Sequence, residues 1–299
     1  MSVQLAIRVD VDTNVGIREG VPRLLELFRQ YALRASFFVS FGPDRSGRAI
    51  RRLWRPSFLL KMVRTNPLRL YGLRTLLSGT LLPSKPIGEG EPELLRSILQ
   101  EGHEIGIHGY DHVRWQDGIE SMQQGDIESE LKKSMDAYGR IFGKHPLSTA
   151  APGWRCTSLS LEVQERLGFL YASDVRGKFP FFPVHNGRTL QTLQIPTTLP
   201  TADELIGRER ELASVFLSSL GPGLNVLTVH AEVEGRAYLG FFRDFLEGVL
   251  ERKAVPVPLG EVAQSIMKRS RDAVPCLPVQ RGKVPGRSGW VARQGVLAA

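Results

Sequence analysis

The chain has 299 residues, 42% of them hydrophobic and 23% charged, enough apolar side chain to bury a core, which excludes an intrinsically disordered protein. No run of about 18 uncharged apolar residues occurs, which excludes a spanning helix. The two cysteines, Cys156 and Cys276, form no Cys-x-x-Cys zinc or redox pair, and the net charge of +8 suits an anionic partner without saying which.

Leu5–Asp10 reads as a buried strand, and Arg18–Tyr31 as a helix with Val21, Leu24, Leu25 and Phe28 on one face. Asp10, Asp12 and Glu19 interrupt any apolar leader and no basic start precedes one, so the chain is expected to stay on the cytoplasmic side. Ala35–Phe41 is short, aromatic and β-branched and stops at Gly42-Pro43, the signature of a second strand. Between Arg45 and Gly88 stand ten basic residues and no Asp or Glu. Within it, Arg48–Leu82 mixes cations with Trp54, Phe58, Leu59, Leu60, Met62 and Tyr71, as a basic amphipathic helical insertion on an anionic membrane surface would, and equally as a helix packed on the fold would. Beyond it, helices are expected at Glu91–Glu101, Ile127–Phe142, Leu159–Leu167, Glu209–Leu220 and Phe241–Lys253, with strands near Glu104–His108, Tyr171–Asp174, Gln191–Ile195 and Asn225–His230. This alternation predicts parallel βα units: an α/β chain folded as one distorted (β/α)7-type barrel over residues 1–299. The insertion after the second strand spans about 45–88, and a Gly- and Pro-rich basic tail, about 270–299, is expected to lie over the surface.

Polar residues collect where the predicted strands stop, the end at which parallel α/β folds build their sites. Asp10 and Asp12, two apart on extended backbone, point the same way, and two carboxylates so close repel unless a cation lies between them; a turn or cap is the plainer use of such a pair. His108 and His112 follow the third strand at a spacing that presents two imidazoles to one metal, although the second position is Gly109 and not the glutamate of a His-Glu-x-x-His protease. His230 ends the last strand, with Glu232 just beyond. Asp12, His108 and His112 as ligands would leave an open coordination position for water and free Asp10 and His230 to move protons. Two imidazoles and a carboxylate suit one divalent ion, with zinc, manganese and cobalt all acceptable. An Asp-x-Asp pair also serves metal-dependent glycosyltransferases, but that reading leaves three histidines idle and finds no Gly-rich phosphate cradle. The basic stretch carries lipid-like apolar residues more than stacked aromatics, so no nucleic-acid partner is expected.

In order, the aspartate pair, His108-x-x-x-His112, Ala151-Pro152-Gly153-Trp154-Arg155, the strand bearing Asp174 and Arg176, and Leu227-Thr228-Val229-His230 resemble the motifs of the polysaccharide deacetylase (NodB-homology) family. That resemblance implies a NodB-like barrel, Asp10 as general base, Asp12, His108 and His112 as metal ligands, and His230 as general acid with Asp174 as its partner. It makes Arg155 the residue that orients Asp10. Here, however, the arginine follows the Pro-Gly, so Arg176 is the alternative, and Val11 splits the usually adjacent aspartates. Trp154, Arg176 and Glu232 are expected to contact substrate. Further stretches, among them Arg18-Glu19-Gly20-Val21-Pro22, Thr198-Leu199-Pro200-Thr201 and His230-Ala231-Glu232-Val233-Glu234-Gly235, resemble a subgroup of deformylases acting on undecaprenyl-phosphate-linked 4-deoxy-4-formamido-L-arabinose. The subgroup implies a polyprenyl-phosphate-linked amino sugar as substrate, a peripheral place on the cytoplasmic face of the inner membrane, and a part in lipid A modification and polymyxin resistance. Deacetylation of another N-acyl amino sugar is the neighbouring alternative.

Overall fold

The computed structural model describes residues 3–48, 64, 72–73, 75–269 and 271–296. Its first strand, β1 (Val3–Val11), is buried continuously from Leu5 to Val11, as an apolar run with both faces covered should be. It pairs in parallel with β2 (Ser36–Val39), and the order continues through β3 (Glu104–Ile107), β4 (Ser148–Thr149) and β5 (Tyr171–Ala172). After β6 (Phe182–His185) and β7 (Arg188–Thr189), β8 (Leu193–Gln194) ends that run. On its other side β1 pairs in parallel with β9 (Gly223–His230), in a register that sets Asp10 opposite His230. The short β10 (Val255–Pro256) pairs with β1 at Gln4 and Leu5.

The sheet curls round on itself. The N–H groups of Thr198 and Leu199 both donate to the Val226 carbonyl at 3.1 Å, joining the chain just after β8 to β9, and the Thr197 and Thr228 hydroxyls meet at 2.7 Å. A second sheet, in the order β12-β11-β6-β7, contains β11 (Cys276–Gly282) and β12 (Val291–Gln294). It is tied to the first by Phe181 N–H to Gln194 O at 3.0 Å and by Arg176 N–H to Ala292 O at 2.9 Å.

The helices follow the α/β alternation: α1 (Val21–Gln30), α2 (Pro92–Gln100), α3 (His112–Gly118), α4 (Gln124–Phe142), α5 (Ser158–Arg166), α6 (Ala202–Leu205), α7 (Leu212–Ser218), α8 (Leu239–Glu251) and α9 (Leu259–Arg269). α1 begins with Pro22 in its first turn, where a missing N–H is harmless, and buries Val21, Leu24, Leu25 and Phe28. α4 opens on a reciprocal Gln123–Asp126 capping box and ends at Gly143, whose φ of 67° allows the left-handed stop. The expected helices thus fall within a few residues of their observed bounds, while β4, β10 and α9 add to them. A two-residue strand such as β4 offers no periodicity to detect. The C-terminal stretch, expected as a surface tail, instead forms the antiparallel pair of β11 and β12. Of the helical insertion expected over Arg48–Leu82, residues 49–63, 65–71 and 74 lie outside the described residues.

Two wide helical turns with π-type bonding, Gly16–Gly20 and Val233–Ala237, meet above β1 and β9. A Cβ on Gly20 would lie 1.9 Å from the Ala231 carbonyl oxygen, and one on Gly235 would lie 2.6 Å from Gly20 Cα. Both positions therefore need backbone without a side chain. Because the neighbour is backbone, Gly20→Ala should lower unfolding free energy by about 1–3 kcal/mol, read as a shift of the urea midpoint with unchanged slope. A midpoint equal to that of the parent would mean the two turns do not pack as described.

Candidate metal centre and active site

Asp10 and Asp12 leave the same side of β1 and both face His108, whose Nε2 is 3.6 Å from Asp10 Oδ2 and 3.3 Å from Asp12 Oδ1. His108 follows β3 and is fully buried. Its Nδ1 lies 2.8 Å from the Ala150 carbonyl, an acceptor, so the ring carries its proton there and turns the Nε2 lone pair toward Asp12. Burial pushes this imidazole down to about 4, outweighing the nearby Asp10 and Asp12 charges, which keeps it neutral and fit to be a ligand. His112 is the first residue of α3, and its Nε2 is 3.2 Å from Asp12 Oδ2. Asp111 caps that helix through Arg114 N–H at 3.0 Å and also accepts a hydrogen bond from Arg45, so the imidazole is presented from a fixed turn.

One donor atom each from Asp12, His108 and His112 lies within 4.8 Å of the others. Asp12 Oδ1 and His108 Nε2 are buried and have no hydrogen-bond partner among the described residues. Two facing acceptors so enclosed cost about 1–3 kcal/mol each unless something satisfies them, and a divalent cation satisfies both. Burial alone would raise the Asp12 carboxyl, but its electrostatic interactions with the facing His112 and His108 imidazoles and a His112 hydrogen bond outweigh it and hold Asp12 well below the usual carboxylate range. The residues present therefore fit a metal ion.

Asp10 is held by a residue that motif reading did not single out. Arg8, fully buried, donates from Nε to Asp10 Oδ1 and from Nη2 to Asp10 Oδ2, each at 2.7 Å, a bidentate fork that fixes the carboxylate plane. Its remaining nitrogen bonds Ser173, and its guanidinium lies 5.4 Å from the Phe38 ring and 5.2 Å from the Trp154 ring. Arg155 instead forms an ion pair with Glu120 at 3.6 Å and stacks over Trp290. Arg176 donates to Glu204 at 2.6 Å and to the Leu199 carbonyl at 2.8 Å. Neither expected arginine orients Asp10. The available signal was Arg8 itself, a charge in the middle of a buried strand and two residues from Asp10, hence on its face.

Asp174 likewise sits elsewhere than expected. Fully buried, it accepts the Ala151 N–H at 2.7 Å and a Gln194 side-chain N–H at 3.2 Å, so it anchors the Pro152–Trp154 turn and not the His230 ring. There Gly153 (φ 63°) and Trp154 (φ 54°) are both left-handed. The Trp154 indole donates to Thr197 Oγ1 at 3.0 Å and stands edge-on to His230, ring centres 6.4 Å apart. The His230 N–H donates to Glu234 at 2.7 Å, and burial pushes the Glu234 carboxyl up to about 7 despite the nearby His230. Glu232 is buried, with Oε2 unpartnered among the described residues, and burial together with the Asp12 charge raises its carboxyl well above the ordinary value. Gly16 makes room for it, since a Cβ there would lie 2.5 Å from Glu232 Oε2.

Residues 6–172 match the model of the polysaccharide deacetylase family. The chain belongs to the polysaccharide deacetylase family. Among members of known sequence, it is 38% identical to the probable 4-deoxy-4-formamido-L-arabinose-phosphoundecaprenol deformylase ArnD of Shewanella sediminis, over 98% of this chain and 95% of that one. It is 34% identical to the protein of the same name from Wigglesworthia glossinidia brevipalpis, over 94% and 98%. The fold of this deacetylase-family chain superposes on a probable polysaccharide deacetylase of Pseudomonas aeruginosa with a TM-score of 0.60 at 16% identity, covering 89% of this chain and 92% of that one.

The orienting role of Arg8 has a direct consequence for this family member. Arg8→Lys keeps a cation but loses the fork, and should lower turnover roughly 10–100-fold while bound metal, measured by plasma mass spectrometry, stays at the parental level. Unchanged turnover would show that Asp10 needs no such partner.

Proposed function

We propose that this chain is a metal-dependent deformylase that hydrolyses the N-formyl group of undecaprenyl-phosphate-linked 4-deoxy-4-formamido-L-arabinose, releasing formate and the free amine for lipid A modification and cationic-peptide resistance. Family membership makes it a hydrolase of an amide C–N bond. The finer reading is supported by near-full-length similarity to two chains named as such deformylases. The observation that carries the chemistry is the facing pair of buried, unpartnered acceptors, Asp12 Oδ1 and His108 Nε2.

Asp12, His108 and His112 would hold one divalent ion, with zinc, manganese and cobalt all compatible; bound there, it supplies Lewis acidity toward the formyl oxygen and a lowered pKa for water. Asp10, locked in its plane by Arg8, takes the proton from the attacking water. His230, directly across from Asp10 in the strand register, gives a proton to the departing nitrogen. Trp154 forms one wall beside His230, Arg176, held by Glu204, backs that wall from over the indole ring, and Glu232 faces the sugar or the new amine. Water's oxygen ends on the formate carbon and the C–N bond breaks, with no change in oxidation state.

The lipid carrier asks for contact with a membrane surface. Among the described residues no helix is long and apolar enough to cross a bilayer, whereas Leu73 and Leu81 are 63% and 81% exposed within the stretch that lacks acidic residues. Such exposed leucines beside cations suit peripheral docking on anionic lipid. The double variant Leu73→Ser/Leu81→Ser should float less with vesicles rich in anionic lipid; undiminished flotation would place the docking surface elsewhere.

The function is tested by incubating metal-replete protein with formylated and acetylated forms of the lipid-linked sugar and following free amine. Release from the formylated form is expected, and release from the acetylated form alone would make the chain a deacetylase. Asp10→Asn should lose about 100-fold or more in turnover while retaining metal, whereas His108→Ala should lose both. Equal metal loss in the two variants would overturn the division of roles between Asp10 and the ligands.

A further inference from the structure

Trp154 gathers three guanidinium groups around its ring: Arg8 and Arg176 each at 5.2 Å and Arg287 at 4.4 Å. Arg8 is committed to Asp10 and Arg176 to Glu204. Arg287 differs. Its side chain is 10% exposed and, among the described residues, its Nη1 is buried without a hydrogen-bond partner. The nearest carboxylate oxygens, Glu204 Oε1 and Asp203 Oδ1, are 3.6 and 3.8 Å away, beyond hydrogen-bonding reach. Both acids are already engaged, Glu204 with Arg176 and the Thr201 N–H, Asp203 with the Thr201 hydroxyl.

A third cation reaches the same place from the insertion. Arg64 donates to the carbonyls of Asp203, Glu204, Ile206 and Gly286, and burial pushes its guanidinium pKa down. Arg64, Arg176 and Arg287 therefore surround two carboxylates, leaving an excess positive charge in an enclosed space, where it acts more strongly than in water.

Arg287 is held there by its own segment, the connection between β11 and β12. Gly286 has φ 87° and packs so closely that a Cβ would lie 2.3 Å from the Glu204 carbonyl oxygen. Trp290, at the other end, lies between Arg155 and Arg281, each 4.7 Å from its ring. On the catalytic side, the same Trp154 ring stands edge-on to His230. The Trp154 indole thus neighbours both the proposed proton donor and a guanidinium with an unused N–H. A guanidinium fork matches phosphate oxygens.

We infer that Arg287 is a substrate-recognising residue that binds the phosphodiester joining the amino sugar to its lipid carrier, with the acylated nitrogen of the sugar directed toward Asp10 and His230. The single negative charge of a phosphodiester matches the excess cation. This assignment rests on the deformylase reading, and gives the C-terminal connection, which lies outside the family-matched residues 6–172, a direct part in substrate choice.

The test uses the metal-loaded full chain and two substrates sharing one formamido sugar: a short-chain polyprenyl phosphodiester and the neutral methyl glycoside. Arg287→Ala should raise KM for the phosphodiester about 10–100-fold, the range of a charged hydrogen bond, with kcat little changed. Its kcat/KM for the methyl glycoside should stay within about twofold of the parent, and Arg287→Lys should recover part of the lost KM. Equal losses on both substrates, or an unchanged KM for the phosphodiester, would overturn the assignment. Should Arg287→Ala melt early, Arg287→Lys carries the same comparison, and a selective rise in its phosphodiester KM supports phosphate recognition while an equal change on both substrates refutes it. A parent protein that hydrolyses neither substrate would refute the deformylase reading and this one with it. Turnover of both by the parent, with the variants indistinguishable from it, would refute this one alone.

Discussion

The site is organised around a charged pair in the least favourable place for one, the centre of a strand buried on both faces. Arg8 and Asp10 are both nearly inaccessible, and removing two charges from water costs several kcal/mol apiece unless geometry and further hydrogen bonds offset it. Here they do so: two parallel N–H···O contacts join the pair, Ser173 takes the remaining nitrogen, and the rings of Phe38 and Trp154 flank the guanidinium. Such a pair adds little net stability, but it fixes direction. With Asp10 turned in its plane, Asp12, two residues on, shares its face and is left to the two imidazoles.

Placement of the other groups follows from the register of β1. Parallel pairing sets His230 across from Asp10 on one side, while β2 and β3 bring His108 up on the other. The Gly20–Gly235 contact then locks the turn after β1 to the turn after β9, and Gly16 leaves space for the Glu232 carboxyl. The Glu19-Gly20 and Glu234-Gly235 stretches, far apart in sequence, are therefore a packing pair in space. Their close approach explains why both stretches require glycine.

Much of the fold is legible in the sequence because long amphipathic helices and apolar strands repeat their signal over many residues, as α1, α4, α8 and β1 do. Ser148–Thr149 and Val255–Pro256 are too short to carry a period, and their strand character comes from the neighbours they join. The cluster of Asp12, His108 and His112 is legible for a different reason: carboxylate and imidazole side chains at strand ends have few structural uses in that combination. Arg8 carries a signal, a charge inside a buried strand, that does not name its partner, and Arg287 carries none, because an arginine in a loop reads alike in sequence whether solvated or buried. Only the fold shows that one is locked to Asp10 and the other sits over Trp154 with an N–H unused. Arg155 and Arg176 are the converse case, placed by motif but drawn away by Glu120 and Glu204.

The central claim is that Asp12, His108 and His112 jointly grip one divalent ion. Anomalous diffraction from crystals grown with zinc or manganese measures this directly. One peak is predicted at about 2.0–2.2 Å from Asp12 Oδ1, His108 Nε2 and His112 Nε2, with Asp10 still forked by Arg8. A peak held by other residues, or catalytically active protein crystals with no peak among these three side chains, would contradict the account.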